Sequence, residues 1–205
     1  MTESPTQRRR ERERAERRQL IVDSARELAE TEGWDAVTTR RLADTIEYSQ
    51  PVLYSHFANR TVIVDAVAVE GCGELAGTLR AAGAGAAGAE AAGGGGTDRA
   101  ARTAAVAQAY LDFAEQHPAL YDAMFVLASD LPFGTADAPP ALLDAFGQLR
   151  DAFAPDEAQP DADVLTEVVW SALHGLVVLE RGGRLRPGQR DARLPRLLAL
   201  TDTSR

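Results

Sequence analysis

The sequence predicts an all-α fold, and three observations support this. Apolar residues recur at three- and four-residue steps along much of the chain, which is the spacing of one helix face. No window alternates apolar and polar residues between hairpin turns, as strands would. Capping residues and prolines stand at the starts of the apolar stretches. With 205 residues, the chain is long enough for one composite domain or for a small unit followed by a larger one.

Four helices are predicted within roughly the first seventy residues. Each starts after a capping residue or ends at glycine, and the predicted bounds are Arg17 to Gly33, Thr38 to Ile46, Ser49 to Phe57 and Asn59 onward. Leu53 and Phe57, four positions apart, form the predicted inner face of the third helix. The second and third helices therefore have the length of a helix-turn-helix pair, which can place its second helix in a DNA major groove. The spacing alone fits a plain packing motif equally well.

The remaining sequence predicts five more helices after an unusual segment. Residues 81–96 contain eight Ala, seven Gly and one Glu, and this composition predicts a flexible loop over 81–97. Helices are expected at 98–117, 118–127, 142–153, 164–179 and 190–201. The helix at 164–179 is apolar around nearly its whole circumference, so it must be covered on both sides by its own domain or by a second copy of the chain.

The charge is unevenly distributed along the chain. Eleven Arg balance eleven Asp and Glu in residues 1–60, so the net charge of −9 belongs to residues 61–205. Among the first eighteen residues, seven arginines outnumber four glutamates. This run is either the solvated start of a helix or an arm that faces a polyanion, since the arginine fork suits phosphate. We therefore expect an Arg-rich N-terminal arm over 1–16, a helix-turn-helix domain over 17–60 and a helical domain over 61–205.

Several protein classes are not expected. The stretch from Val164 to Leu179 contains Glu167 and His174 and is shorter than the ~20 residues of a membrane span. The single Cys72 and the lack of an apolar leader favour the cytoplasm. The three histidines lie in separate predicted helices without paired carboxylates, and no metal or phosphate-binding motif is found. We therefore predict no enzyme, no metal site and no cofactor.

Two runs of sequence resemble a known family. Residues 38–43, Thr-Thr-Arg-Arg-Leu-Ala, and residues 49–60, which include Gln-Pro-Val-Leu-Tyr-Ser-His-Phe, are similar to the DNA-binding domain of TetR family regulators, especially its tetracycline repressor branch. The resemblance covers residues 17 to about 68. It implies an all-helical homodimer with an N-terminal DNA-binding domain and a C-terminal domain that binds a ligand and forms the dimer.

The resemblance also implies roles for particular residues. Thr39 and Arg40 match family DNA contacts on the second helix. The matched base-facing residues are Gln50, Pro51, Val52 and Ser55, and the matched phosphate-facing residues are Tyr54, His56 and Arg60. Gln can pair with adenine through two hydrogen bonds, and Pro51 and Val52 can contact a thymine methyl group.

One position departs from the family pattern. Family members usually carry glycine in the turn between the two helices, where this chain has Glu47 followed by Tyr48. A left-handed conformation at Glu47 would cost about 1 kcal/mol, and its charge would lie near the DNA backbone.

The C-terminal domain provides a weaker resemblance. Residues 170–175, with Trp170, His174 and a following glycine, resemble a Trp-x-x-x-His-Gly motif found in some family members. The candidate ligand-binding residues, each also a plausible core residue, are Tyr110, Phe113, Tyr121, Met124, Phe125, Trp170 and His174.

Together these features predict a dimeric regulator, more specifically a repressor that a small-molecule effector releases from a palindromic double-stranded DNA operator. Two alternatives stay open at this point. One is a helical small-molecule-binding protein or enzyme whose N-terminal helices are only a packing motif. The other is an architectural DNA-binding protein without an effector.

Overall fold

The computed structural model describes residues 4–89, 97–154 and 161–201. Within these ranges the chain forms nine α-helices and a short 3-10 turn at Trp34–Ala36, and no strand. The helices are α1 Pro5–Glu32, α2 Thr39–Thr45, α3 Gln50–His56, α4 Arg60–Ala89, α5 Thr97–Gln116, α6 Pro118–Phe125, α7 Pro140–Phe153, α8 Ala162–Arg181 and α9 Arg190–Thr201. The predicted all-α fold is confirmed.

The described chain divides into two compact units. The first unit, here called the head, contains residues 4–71 and 117–135, and the second, here called the body, contains residues 72–116 and 136–201. The head therefore holds α1, α2, α3, the start of α4, and α6. The body holds the rest of α4 with α5, α7, α8 and α9. The chain first crosses from the head to the body within α4, a helix of 30 residues, and it crosses again at 116/117 and 135/136.

The first helix begins earlier than the sequence predicted. We expected it to start at Arg17, but α1 begins at Pro5, so the described residues of the expected N-terminal arm are its first turns. Arg and Glu are good helix formers, and Pro is accepted in the first turn of a helix. Arg9 and Glu13, one turn apart, also form an ion pair of 3.1 Å. The prediction failed because it used apolar periodicity, which this charged segment lacks.

The predicted Ala/Gly-rich loop is wrong for its first part. Residues 81–89 continue α4 as helix, and Thr97 already belongs to α5. Alanine has the highest helix propensity, and six alanines outweigh the three glycines in this stretch once a long helix already leads into it. The remaining loop positions, 90–96, lie outside the described residues.

The head is stabilised by one apolar face of α1 and by hydrogen bonds between α1 and α6. Ile21, Ala25 and Leu28 of α1 are buried. The Glu30 carboxylate accepts hydrogen bonds from the backbone N–H groups of Ala119 (3.1 Å) and Leu120 (3.0 Å) in the first turn of α6. This is the helix end that attracts negative charge. The Glu30 side chain therefore acts as an N-terminal cap for α6.

Helix α8 has two different sides. Ala162, Thr166, Val169, Leu173 and Val177 are buried where α8 packs against α5 and α7. By contrast, the exposed side chains include Val164, Val168, Val178 and Leu179. A single chain thus covers one side of α8 only, whereas the sequence predicted that both sides are covered.

By length and composition α8 could also cross a membrane. It has 20 residues and a mean hydropathy of 1.5 over its most apolar window. The expectation that this segment is too short to span a bilayer is therefore wrong, because the helix extends past both predicted ends. Its buried side is nevertheless built into the core of the body, as in the central helix of a packed domain.

Candidate nucleic-acid interface

Helices α2 and α3 form a compact pair whose geometry starts with a helix cap. The Thr38 hydroxyl accepts a hydrogen bond from the Arg41 backbone N–H at 3.1 Å, as expected for an N-cap. Leu42 of α2 and Leu53 of α3 are completely buried and hold the pair to the head. Phe57, directly after α3, is buried as well. The predicted inner face of Leu53 and Phe57 is thus confirmed.

The turn between α2 and α3 is made by Glu47, where family members usually carry glycine. Glu47 has a φ of 56° and is the one non-glycine residue with positive φ among those described. The Tyr48 N–H donates to the Ala43 carbonyl at 2.9 Å, which closes the turn. The strained left-handed conformation expected at Glu47 is therefore confirmed, and the helix-turn-helix geometry is retained despite it.

The outer face of α3 is open to solvent. Gln50, Pro51, Val52, Tyr54 and Ser55 are all exposed, with Val52 and Tyr54 at 38% and 49% of their full accessible area. The amide of Gln50 can form two hydrogen bonds to adenine, and the apolar atoms of Pro51 and Val52 can contact a thymine methyl group. This helix therefore presents base-reading chemistry on the side opposite its buried leucine.

Two hydroxyl groups connect α2 with α3 on this face. Thr39 Oγ1 and Tyr54 Oη lie 3.2 Å apart, within hydrogen-bonding distance. Ser55 donates its own hydroxyl to the Val52 carbonyl at 2.6 Å, which leaves its oxygen able to accept. Arg40 is exposed beside Thr39 on α2. The structure thus brings predicted contacts from both helices together.

His56 lies at the C-terminal end of α3 and is half-buried. Its pKa is lowered below the usual 6.5, chiefly by desolvation and then by the positive charges of Arg14, Arg17 and Arg18. A lowered pKa favours the neutral imidazole at neutral pH. His56 is therefore suited to donate a hydrogen bond to a phosphate rather than to attract it by charge.

Arg60 forms hydrogen bonds within the head. Its Nε donates to the Val37 carbonyl at 2.9 Å, and its Nη2 donates to the Trp34 carbonyl at 2.7 Å. The guanidinium also lies 5.9 Å from the centre of the Trp34 ring. These bonds attach the first turn of α4 to the segment between α1 and α2. Its predicted phosphate contact remains a prediction and would have to use the other guanidinium donors.

The candidate ligand-binding residues fall into two groups. In the body, Trp170 Nε1 donates to the Tyr110 hydroxyl at 2.9 Å, and both Tyr110 and Phe113 are buried. His174 is half-buried, and desolvation lowers the pKa of its imidazole below the usual 6.5. In the head, Tyr121 and Phe125 stack edge to face with ring centres 5.1 Å apart, and Met124 is buried. Their ligand-binding role remains a prediction.

An open groove of about 470 Å³ lies on α8 and α9 and includes none of these seven residues. It is lined by Leu176, Arg193, Arg196, Leu197 and others.

The described residues contain no group of three His, Cys, Asp or Glu side chains able to hold a metal ion. Cys72 is buried, and this burial raises the pKa of its thiol to about 12. A thiol with such a pKa stays protonated and is a poor nucleophile. The structure thus places Cys72 in the core as packing material.

Sequence reasoning missed several residues that shape this interface. Arg18 Nη1 donates to the His56 carbonyl at 3.2 Å, and its guanidinium lies 4.1 Å from the centre of the Phe57 ring. Trp34 Nε1 donates to the Ala119 carbonyl at 2.7 Å. The Arg18 contact had a detectable signal, because Arg14, Arg18 and Ile21 continue one helical face at four- and three-residue steps. The Trp34 and Glu30 contacts join residues more than eighty positions apart, and no local pattern reveals them.

A helix pair that packs on its domain by a buried inner face and exposes base-reading side chains on its second helix defines the helix-turn-helix class of DNA-binding proteins. Comparison with known proteins agrees with this class and makes it more specific. The sequence model for "Bacterial regulatory proteins, tetR family" matches residues 21–67. The model for "Tetracyclin repressor-like, C-terminal domain" matches residues 103–201.

Individual proteins are similar over different lengths of the chain. An uncharacterised HTH-type transcriptional regulator of Mycobacterium tuberculosis is 30% identical over 168 residues, covering 81% of this chain and 71% of that protein. The class D tetracycline repressor of Escherichia coli is 43% identical over 53 residues, covering 26% of this chain and 24% of the repressor. A solved structure of a Rhodococcus protein of unknown function superimposes with a TM-score of 0.68 at 23% identity, covering 90% of this chain and 92% of the other.

The chain therefore belongs to the TetR family and is a DNA-binding transcriptional regulator. The family resemblance predicted from the sequence is confirmed. The identity to the class D tetracycline repressor extends over 53 residues, about a quarter of each chain, whereas the identity to the mycobacterial regulator extends over most of both chains.

Proposed function

We propose that this protein is a dimeric, cytoplasmic repressor that binds a palindromic operator and is released from it by a small molecule. The observation that supports this most directly is the exposed outer face of α3, with Gln50 at its start and Tyr54 beside Thr39 of α2. The amide of an exposed glutamine at this position contributes little to packing and is available for hydrogen bonds to base edges.

Reading of the operator is assigned to two sets of residues. Gln50, Pro51, Val52 and Ser55 contact bases, with Thr39 and Arg40 supporting them from α2. Tyr54, His56 and Arg60 contact the phosphate backbone, which fixes the position of the head but carries no sequence information.

Two copies pair through the exposed apolar side of α8 together with α9. Val164, Val168, Val178 and Leu179 are exposed on one side of α8, together with Glu167 and Ser171, and a second copy would cover the apolar side chains. A two-fold dimer places two α3 helices on half-sites one helical turn apart, or a multiple of the ~34 Å turn.

The effector binds in the body and acts through α4. This helix begins with Arg60, which is bonded to the head, and continues into the body. A ligand that favours one position of α4 changes the separation of the two heads. Because the coupling is reciprocal, the effector weakens DNA binding by the same factor by which DNA weakens effector binding. The predicted lining residues in the body are Tyr110, Phe113, Trp170 and His174, whereas the other predicted ligand-binding residues, Tyr121, Met124 and Phe125, lie in the head.

The acidic charge of residues 61–205 repels DNA and restricts contact to residues 1–60. We further propose that the protein performs no catalysis and needs no cofactor, because repression by occupancy of an operator requires neither.

Selection of bound duplexes from a random pool tests this proposal. The expected result is a palindrome with half-sites one or more helical turns apart. Absence of any duplex binding at low salt would favour a helical small-molecule-binding protein or an enzyme. Binding without a preferred palindrome would favour an architectural DNA-binding protein.

The variant Gln50→Ala then tests the reading role of α3. It should cost about 1–3 kcal/mol of binding free energy on the selected operator and relax the preference at one base pair. The matched control is Gln116→Ala, which removes an exposed glutamine at the end of α5 in the body. An operator profile that is the same for both variants would contradict the role of Gln50.

A further inference from the structure

The first turns of α1 extend beyond the part of the helix that packs in the head. Residues 5–20 are exposed or half-exposed throughout, and Ile21 is the first buried residue of the helix. We call residues 5–20 the α1 extension. At 1.5 Å per residue it is about 24 Å long, which equals about seven base-pair steps of B-DNA.

One face of the α1 extension is lined with arginine. Arg10, Arg14 and Arg17 follow each other at steps of four and three residues, so they share one side of the helix. The same steps lead on to Ile21 and Leu28, which are buried in the head. These three arginines, here called the inner arginines, therefore continue the core-facing stripe of α1 past the point where the core ends.

Two of the inner arginines, Arg14 and Arg17, lie near the C-terminal end of α3, and Arg10 continues the same face of the helix. Arg18, the next residue after Arg17, donates to the His56 carbonyl at 3.2 Å and covers the Phe57 ring. Arg14 and Arg17 are close enough to His56 for their charges to lower its pKa, after the larger effect of desolvation. The α1 extension thus leaves the head at the end of the helix to which base reading is assigned.

We propose that the inner arginines bind the phosphate backbone of the same DNA duplex that α3 reads. This inference rests on the proposed function, because it requires DNA along α3. Arginine forks match phosphate oxygens in geometry as well as in charge. A duplex that lies against α3 passes the end of that helix, where the inner arginines add three positive charges next to it.

The opposite side of the α1 extension differs in its chemistry. Arg8, Arg9 and Arg12, here called the outer arginines, point away from the core-facing stripe, and Arg9 is paired with Glu13 at 3.1 Å. Exposed pairs of this kind stabilise a helix only slightly and reduce the charge available to a partner. The outer arginines thus provide a control of equal charge on the same segment.

The experiment compares three variants of the full chain on a selected operator duplex. The first changes the inner arginines to glutamine (R10Q, R14Q and R17Q), and the second changes the outer arginines (R8Q, R9Q and R12Q). The third keeps the charge of the inner face with R10K, R14K and R17K. Glutamine and lysine both have good helix propensity, and Arg18 stays intact, so the folded head is retained. Circular dichroism checks this for each variant.

The inner glutamine variant should weaken binding to all duplex sequences alike, without a change in base preference. Each lost phosphate contact flattens the slope of log affinity against log salt by about 0.9, so three contacts give about 2.7 for each bound head. When the salt concentration is lowered from 200 to 50 mM, the ratio of wild-type affinity to variant affinity then grows by about 40-fold per head. The outer variant should change the slope by less than about one unit, and the lysine variant should keep the wild-type slope.

Three results would overturn this inference while the proposed function stands. They are equal slopes for the inner and outer variants, a wild-type slope for the inner variant, and an altered oligomeric mass in place of altered DNA affinity. Failure of the proposed function looks different, because the wild type itself would then select no duplex. If Gln50→Ala changes the operator profile as expected but the inner glutamine variant has no effect on DNA binding, only the proposal about the inner arginines is refuted.

Discussion

Helices α3 and α8 both present an exposed face, but the two faces differ in chemistry. The face of α3 carries an amide and hydroxyl groups in addition to small apolar side chains, whereas the face of α8 is mostly aliphatic, with Val164, Val168, Val178 and Leu179 exposed in addition to Glu167 and Ser171. Amide and hydroxyl groups have partners on base edges and phosphates, and a row of aliphatic side chains has its best partner in another such row. The difference teaches that one chain carries two kinds of interaction surface, for which we propose DNA and a second copy.

The largest expected effect comes from a charge on the α8 face. Val168 is 56% exposed, so Val168→Asp should leave the single chain folded. In the proposed dimer the carboxylate would be buried without a partner, which costs about 3 kcal/mol or more and weakens dimerisation at least 100-fold. Sedimentation and operator binding should both register this loss.

The matched control for that variant is Leu143→Asp on α7, where the leucine is 48% exposed. It places the same charge on the same unit outside the α8 face. A dimer that survives Val168→Asp, or that is broken equally by Leu143→Asp, would contradict the assignment of α8.

The next effect concerns the support beneath the α3 face. Arg60→Ala removes two hydrogen bonds to the carbonyls of Val37 and Trp34 and should lower the free energy of unfolding by about 2 kcal/mol. Arg60→Lys should restore little of it, because an ammonium group cannot reproduce the geometry of the fork. Urea unfolding measures both changes.

Arg40→Ala is the comparison for Arg60, since both residues are predicted DNA contacts. Arg40 is exposed, so its loss should weaken DNA binding and leave the urea midpoint unchanged. If Arg60→Ala behaved like Arg40→Ala in unfolding, the structural role of Arg60 would be refuted.

A smaller effect is expected at the turn before α3. Glu47→Gly should raise the free energy of unfolding by up to about 1 kcal/mol, because glycine adopts a φ of 56° without steric strain. The greater freedom of glycine in the unfolded chain offsets part of this gain. Glu47→Ala removes the same charge but keeps the strain, so it should tighten DNA binding equally without the gain in stability. Equal melting temperatures for the two variants would refute this account.

The smallest effect is the titration of His56 at the end of α3. Its pKa lies below 6.5, and NMR should show it move back toward 6.5 in a chain carrying R14Q and R17Q. Because protonation is disfavoured in the folded state, the unfolded chain binds more protons, and stability falls as the pH drops through 6.5 and below. His56→Gln should reduce this loss. If the pKa of His56 is the same in the wild type and in the chain carrying R14Q and R17Q, Arg14 and Arg17 do not lie close to His56.

Much of the fold was predictable because it follows local rules. Thr38 and Asn59 cap their helices as expected, with Asn59 Oδ1 accepting from the Val62 N–H at 3.0 Å. The inner face of α3 and the left-handed turn at Glu47 were also predicted, since each depends only on neighbouring residues.

The failures have a common cause, which is the absence of a local signal. The start of α1 lacks apolar periodicity, and the end of α4 is rich in glycine, so both were misassigned. The cap that Glu30 provides for α6 joins residues 89 positions apart and is set by packing alone. The assigned base and phosphate contacts and the ligand-binding residues stay predictions, since each is defined by a partner molecule.

The burial of Cys72 gives the molecule a built-in reporter. With one thiol per chain, at 1% exposure and with a pKa near 12, a thiol-reactive dye can attach only when α4 opens locally or the body unfolds. Labelling kinetics followed with and without a candidate effector would thus rank small molecules by how firmly they close the body, before any operator is known.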